Sequence, residues 1–422
     1  MTAIEMPYGK GAIEIRIPTG RLLGILESRA SHVKPDAGEE ALVRRSLENP
    51  IASPRLADLA RGRKRIVIIV SDHTRPVPTR IIAPQLLAEI HERNPGADIT
   101  FLVATGFHRA STTKELSEKF GAELLRSVNV VIHDSRDPLA LVHAGQLPSG
   151  GDLIVNKLAM EADLLVAEGF IEPHLFAGFS GGRKSVLPGI VSESTVLANH
   201  CAEFVAHRRA RPGVLEGNPI HDDMVYAARQ ARLAFILNVV IDTDKRIIAA
   251  FAGNPEQAHL QGCRFAGQLA QVEARHADIV ITSNGGYPLD QNVYQQVKAL
   301  TSAAATCKEG GVIIVTAACG DGHGSEDMYN WMRGGAREAM DRILTVDRGS
   351  TVPDQWATQI MARIQLKHTI IFVTDQCDHR ILNDMGFGTA YTFEEALSAA
   401  EAIVGARASI TVIPDGASVV VN

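Results

Sequence analysis

Short, nearly unbroken apolar runs alternate along the chain with segments whose apolar residues recur at helical spacing. RIVIIVS at 65–71, ITFLVA at 99–104, NVVIH at 129–133, DLLVA at 163–167 and FILNVVI at 235–241 are runs of the first kind, and 81–93 is of the second. A strand apolar on both faces must be covered on both faces. These runs therefore predict buried parallel strands joined by helical crossovers, a doubly wound α/β first domain. A helical stretch at 255–275 leads into a second series, DIVIT at 278–282, VIIVT at 312–316 and TIIFV at 369–373, which predicts a second, smaller α/β unit. The expected fold is thus two α/β domains, 1–270 and 276–404, with a cofactor and substrate cleft between them. Two β-branched runs flank Pro414, Asp415 and Gly416, a pattern that predicts a hairpin. This tail, 405–422, is expected to return to the first domain.

Composition narrows the function classes. With 422 residues, 45% of them hydrophobic, the chain can bury two cores. A formal net charge of -6 gives no electrostatic support for a nucleic-acid or anionic-membrane partner, so a small-molecule partner is expected. Five cysteines are scattered without a CxxC pair, which suits reduced thiols in the cytoplasm. The first 16 residues lack the apolar run of a signal peptide, and no stretch reaches membrane-spanning length, so an unexported, soluble protein is expected.

Ligands of open α/β sheets bind beyond the carboxyl ends of strands, so the loops there are the place to look for chemistry. The first apolar run passes directly into Ser71-Asp72-His73-Thr74-Arg75-Pro76, where Arg75 can grip a carboxylate or phosphate in a bidentate fork. The second passes into Thr105-Gly106-Phe107-His108-Arg109, and a histidine there can transfer protons near neutrality. Taken alone, the first segment is equally well an ordinary polar loop, and a lone histidine such as that of the second is more often structural. The strongest signal is EGFIEPHLFAGFSGGRKS at 168–185. Its glycines at 178, 181 and 182 let backbone approach a ligand closely, and Arg183, Lys184 and Ser185 offer charge and hydrogen bonds to a phosphate. A P-loop requires GxxxxGK[ST], but here Arg183 separates Gly182 from Lys184. A lysine beside such a cradle can also be a covalent attachment point; spacing does not choose between these roles.

His200 follows sixteen residues after Lys184, yet one histidine cannot make a metal site, and neither HExxH nor a paired-cysteine ligand set occurs. Any metal therefore needs non-protein ligands. Further on, Gln295 and Lys298 share a helical face next to Tyr294 and could grip a carboxylate or simply meet solvent. Trp356, one of two tryptophans, could wall a pocket or pack.

Taken together, SDHTRP at 71–76, GFHR at 106–109, EPHLFAGFSGGRKS at 172–185, His200, YQQVK at 294–298 and DQW at 354–356 resemble the lactate racemase family that uses a nickel-pincer nucleotide. The resemblance spans both inferred domains, and the glycine-rich segment is its most specific part. It implies a pyridinium-derived mononucleotide with two sulfur-containing arms, one joined to Lys184 as a thioamide. Nickel would be held by two sulfurs, a ring carbon and His200. His108 and His174 match the family's acid/base pair, placed on opposite faces of the substrate. Arg75, Gln295 and Lys298 match substrate-binding residues, with Tyr294 and Trp356 beside them, while Asp72, Gly181, Gly182, Arg183 and Ser185 match parts of the cofactor site. Proteins that make the cofactor are the implied loading partners.

The implied reaction racemises lactate or a related short-chain 2-hydroxy acid. The C2 hydrogen is hard to remove as a proton beside a carboxylate, so one histidine takes the hydroxyl proton while hydride leaves to the cofactor, giving a 2-keto acid that is reduced again from its other face. A sibling activity on malate, a longer 2-hydroxy acid or an aldonate is the alternative. A non-catalytic cofactor carrier would not need both His108 and His174, and a nicotinamide oxidoreductase lacks its GxGxxG after the first strand.

Overall fold

The computed structural model describes residues 1–422, which divide into two compact units: Arg29–His200 with His207–Leu269, and Met1–Ser28 with Cys201–Ala206 and Ala270–Asn422. In the first, the five apolar runs form five strands of a six-stranded sheet, four of them interior and Asn129–Ile132 at one edge. Its order is Ile247–Gly253, Leu233–Ile241, Leu164–Phe170, Arg65–Ser71, Asp98–Ala104 and Asn129–Ile132. Every pair is parallel except the outermost, Leu233–Ile241 with Ile247–Gly253. The central strand Leu164–Phe170 is buried at all seven positions, the state its unbroken apolar run implies. On one face the core joins Ile66, Ile68, Val70, Phe101 and Val166 to Ile82, Leu86 and Ile90 of the helix Thr79–Arg93.

A small hairpin, Leu141–Gln146 with Asp152–Asn156, stands apart from this sheet and was not foreseen, because LVHAGQ carries polar residues on both faces.

The second unit holds an all-parallel sheet ordered Gly388–Ala390, Thr369–Val373, Cys307–Thr316, Ala277–Ser283, Ile410–Ile413 and Leu22–Ile25. Two expectations about the chain's ends are corrected here. The tail pairs within this unit: Ile410–Ile413 lies beside Ala277–Ser283, with Ile281 opposite Val412, while Val420–Val421 pairs with Gln271–Val272. Pro414–Gly416 therefore turns the chain between two sheets and closes no hairpin. All four residues of Ile410–Ile413 are buried, which suits an interior parallel strand better than a half-exposed ribbon. The first 28 residues also belong here instead of opening the first domain. Thr2–Tyr8 and Gly11–Ile17 form an antiparallel hairpin whose Ile4, Met6, Ile15 and Ile17 join the core of Ile279, Ile281 and Ile314. No helix is long and apolar enough to cross a membrane, and all five cysteines are free and buried.

Candidate functional site

At the carboxyl end of Arg65–Ser71 the chain makes a tight side-chain-stabilised turn. Asp72, 1% exposed, accepts through Oδ1 from Thr74 N at 3.1 Å and Thr74 Oγ1 at 2.7 Å. Its other oxygen, Oδ2, lies 2.6 Å from His108 Nδ1. Burial opposes the Asp72 charge, but the bonds from His108 and Thr74 and the nearby Arg75 outweigh it and hold the carboxyl down at about 2. With Nδ1 engaged by the carboxylate, the other nitrogen of the His108 imidazole, whose side chain is 41% exposed, points away from the anchor. Arg75 is exposed and spends one nitrogen on Thr74 Oγ1 at 2.9 Å. Arg109 is committed elsewhere, to Glu115 in the capping box of the helix Thr113–Phe120.

The loop that carries His108 is tied to the chain just beyond the glycine-rich segment, because Gly106 N donates to Gly189 O at 3.0 Å and Gly189 N in turn to Lys184 O at 3.2 Å. That segment opens at the end of Leu164–Phe170 with a two-residue ladder in which His174 faces Gly178. His174 Nδ1 accepts from Ala177 N at 3.3 Å, which places the ring hydrogen on Nε2 in this arrangement. Edge-to-face contacts run from His174 to Phe176, with centroids 4.7 Å apart, and on from Phe176 to His200 at 5.0 Å. Phe176 is thus the spacer between two imidazoles.

The glycines serve the protein's own packing. Gly178 has φ 79°, and a Cβ there would lie 2.3 Å from Val214 O. A Cβ on Gly182 would lie 2.6 Å from the His259 ring, and Gly182 N donates to Asn238 Oδ1 at 2.7 Å. The close approach expected to a ligand is therefore made to Val214 and His259, with Asn238 on the Gly182 amide.

Gly181, Gly182, Arg183, Lys184 and Ser185 form a tight turn in which Lys184 N donates to Gly181 O at 3.1 Å. The side chains of this turn do not share one direction. Lys184 and Ser185 are half-buried, whereas Arg183 is 3% exposed, with all three guanidinium nitrogens bonded to protein groups, so it is not presented to a phosphate as the sequence suggested. His200, at the end of the helix Glu193–Asn199, is buried. Burial, aided by the charge of nearby Lys184, pushes its imidazole down to about 3. A half-buried amine therefore lies within electrostatic reach of an imidazole that stays neutral, the form in which histidine ligates metals. One such nitrogen is a partial ligand set. It fits an ion whose remaining donors arrive with an organic group held at the amine.

Tyr294, Gln295, Lys298 and Trp356 lie in the other unit. Tyr294 and Gln295 are in the turn Tyr294–Gln296, which runs directly into the helix Val297–Ala304 carrying Lys298. All three are half-buried. The turn is latched to the neighbouring loop by Val293 N to Gly322 O at 3.0 Å and Tyr294 N to His323 O at 3.1 Å. Trp356, near the start of the helix Gln355–Gln365, is 9% exposed.

Sequence reasoning missed Thr74, Asn238, His221 and His259, the groups that orient the ones it found. Thr74 stands inside SDHTRP, where its bonds to Asp72 gave it no separate signal; no motif marks the other three, since each acts through a partner distant in the chain.

Comparison with known proteins adds an independent line. A family model described as the lactate racemase N-terminal domain matches residues 8–213, and one described as the lactate racemase C-terminal domain matches 272–421. A curated lactate racemase from Thermoanaerobacterium thermosaccharolyticum is 55% identical over 100% of both chains, and another from Lactiplantibacillus plantarum is 51% identical over 100% of both. The solved lactate racemase apoprotein of Thermoanaerobacterium thermosaccharolyticum superposes with a TM-score of 0.97 at 55% identity, covering 100% of each chain. A Thermotoga maritima protein shares the fold at a TM-score of 0.67 and 20% identity, over 91% of this chain and 98% of that one.

Proposed function

The chain belongs to the lactate racemase family and is thereby an isomerase, and we propose that it interconverts the enantiomers of lactate or a related short-chain 2-hydroxy acid with a nickel-pincer nucleotide. Lys184 is the covalent anchor of that nucleotide and His200 the protein's ligand to nickel. What supports this pair is that burial holds the His200 imidazole well below its usual value and the charge of half-buried Lys184 lowers it further. When bound, the group would supply a reversible acceptor for hydride from C2.

The chain's own residues hold the substrate and manage its hydroxyl proton. The observation that carries the reading is the 2.6 Å contact from His108 Nδ1 to buried Asp72, which fixes the ring and counters the charge it gains when its outward nitrogen takes a proton. Asp72, matched to the cofactor site by resemblance, is therefore assigned as the orienting partner of His108. His174 is the second acid/base group: with Nδ1 accepting from Ala177 N, its Nε2 carries the hydrogen to be given back. Arg75, Gln295 and Lys298 bind the carboxylate, with Tyr294 and Trp356 bordering the substrate. Gly181, Gly182 and Ser185 shape the turn that bears the nucleotide. Proteins that make the cofactor load it, and the five free thiols accord with a cytoplasmic setting.

Chiral chromatography of the loaded protein incubated with single enantiomers of lactate, malate, longer 2-hydroxy acids and aldonates tests the substrate. Lactate is expected to racemise fastest; activity confined to another acid would reassign the substrate, and activity on none would overturn the reading. Run in heavy water, the same assay tests the route. If the histidines handle only the hydroxyl proton, product keeps its original C2 hydrogen, whereas substantial deuterium at C2 from the first turnovers sinks the hydride mechanism.

A further inference from the structure

Arg183 is a buried cation whose hydrogen-bond partners include no carboxylate. Nε donates to His221 Nδ1 at 2.9 Å, Nη1 to Phe179 O at 2.8 Å and Gly181 O at 3.2 Å, and Nη2 to Ala177 O at 2.7 Å. Nη1 also lies 3.2 Å from His259 Nε2. Burial of an unpaired charge is costly unless dipoles replace its water, and here three loop carbonyls and a histidine lone pair do so. His221 belongs to the helix Pro219–Gln230 and His259 to Gln257–Ala270. The guanidinium thus ties the loop that precedes Lys184 to the first of these helices, while His259, whose Nε2 lies 2.9 Å from Ser180 O, holds the same loop from the second. Gly181 O is held twice, by Arg183 Nη1 and by Lys184 N, so the guanidinium fixes the carbonyl on which the Lys184 backbone itself rests. Burial and the adjacent guanidinium push His221 down to about 3, which keeps its Nδ1 lone pair available as the acceptor.

We propose that Arg183 is a positioning residue for Lys184: it faces away from any bound nucleotide and holds the 177–184 loop in the shape that presents the Lys184 amine for attachment. This rests on the reading of Lys184 as the anchor. A rigid fork of five N–H donors suits three carbonyls and an imidazole in fixed directions, and a lysine ammonium at the same place cannot reproduce it.

The test compares Arg183→Met and Arg183→Lys with Leu86→Ala, a core truncation in the same unit that serves as a control for lost stability. Each full-length chain is expressed with cofactor-making proteins and weighed intact, while its apoprotein is followed by urea unfolding and by hydrogen exchange of the 177–184 amides. Both Arg183 variants are expected to lose at least about tenfold in the fraction carrying added mass and to exchange at least about tenfold faster in that loop. Leu86→Ala, at an equal or lower unfolding midpoint, should load as wild type does. Arg183 variants that load fully, or a Leu86→Ala loss as large as theirs at matched stability, overturn the proposal. If wild type gains no mass, the anchor reading fails separately, and unchanged loop exchange in the variants would still refute the positioning role. Should Arg183→Met not fold, His221→Leu deletes one partner of the fork and is read the same way: faster exchange with reduced loading supports the proposal, and neither change overturns it.

Discussion

His108 Nδ1 lies 2.6 Å from the carboxylate of Asp72, a residue 36 positions earlier that is almost wholly buried. Two strands that pair in register, Arg65–Ser71 and Asp98–Ala104, deliver the two loops side by side. The carboxylate turns an exposed histidine into an oriented one, with a defined tautomer and a fixed outward nitrogen.

Asp72→Asn keeps the shape of the turn while removing the charge and inviting the wrong tautomer. The turnover number is expected to fall on the order of 10²-fold or more, within the range a positioned acid/base group contributes. The mass added at Lys184 should remain. A steady-state assay beside intact-mass analysis checks this; unchanged turnover would remove Asp72 from the acid/base apparatus.

The same carboxylate links stability to acid. Its folded value of about 2 is below the ordinary 3.8, so the stabilisation is fully present above about pH 4 and is lost as pH falls through about 2. The difference corresponds to roughly 2 kcal/mol. Urea unfolding of wild type and Asp72→Asn from about pH 5 downward should show the gap between them closing in that window, and a gap that stays constant would contradict the assignment.

His200→Ala should lose nickel by elemental analysis, and Lys184→Ala should lose the added mass. His108→Ala and His174→Ala should retain both and lose most turnover. Nickel loss on removing His108 or His174, with retention in His200→Ala, would exchange the roles.

Gly178 and Gly121 both have φ near 80°, but only the first has backbone within 2.3 Å of a would-be Cβ; the second faces open space. Gly178→Ala therefore adds an overpacking penalty to the same backbone strain, about 1–3 kcal/mol beyond Gly121→Ala. Urea midpoints of the two variants measure the difference, and equal destabilisation would show that Val214 yields freely.

The hydrophobic pattern by itself determined that this chain builds two α/β units, because runs such as RIVIIVS and DIVIT can be satisfied only as strands covered on both faces. It also located the chemistry, since loops after such strands carry the polar residues that a core cannot accept. What the pattern specifies is burial, and burial names no partner. Only the tertiary structure decided that Ile410–Ile413 joins the sheet of Ala277–Ser283, and that the opening hairpin packs into that same core. Side-chain direction was equally illegible. Arg183, Lys184 and Ser185 read alike as a basic, hydroxyl-bearing cradle, yet Arg183 turns inward to carbonyls and His221, because those acceptors converge there from elements far apart in sequence. Asp72 read as one polar loop residue among several until strand register set it against His108, a contact that depends on two chain segments arriving together.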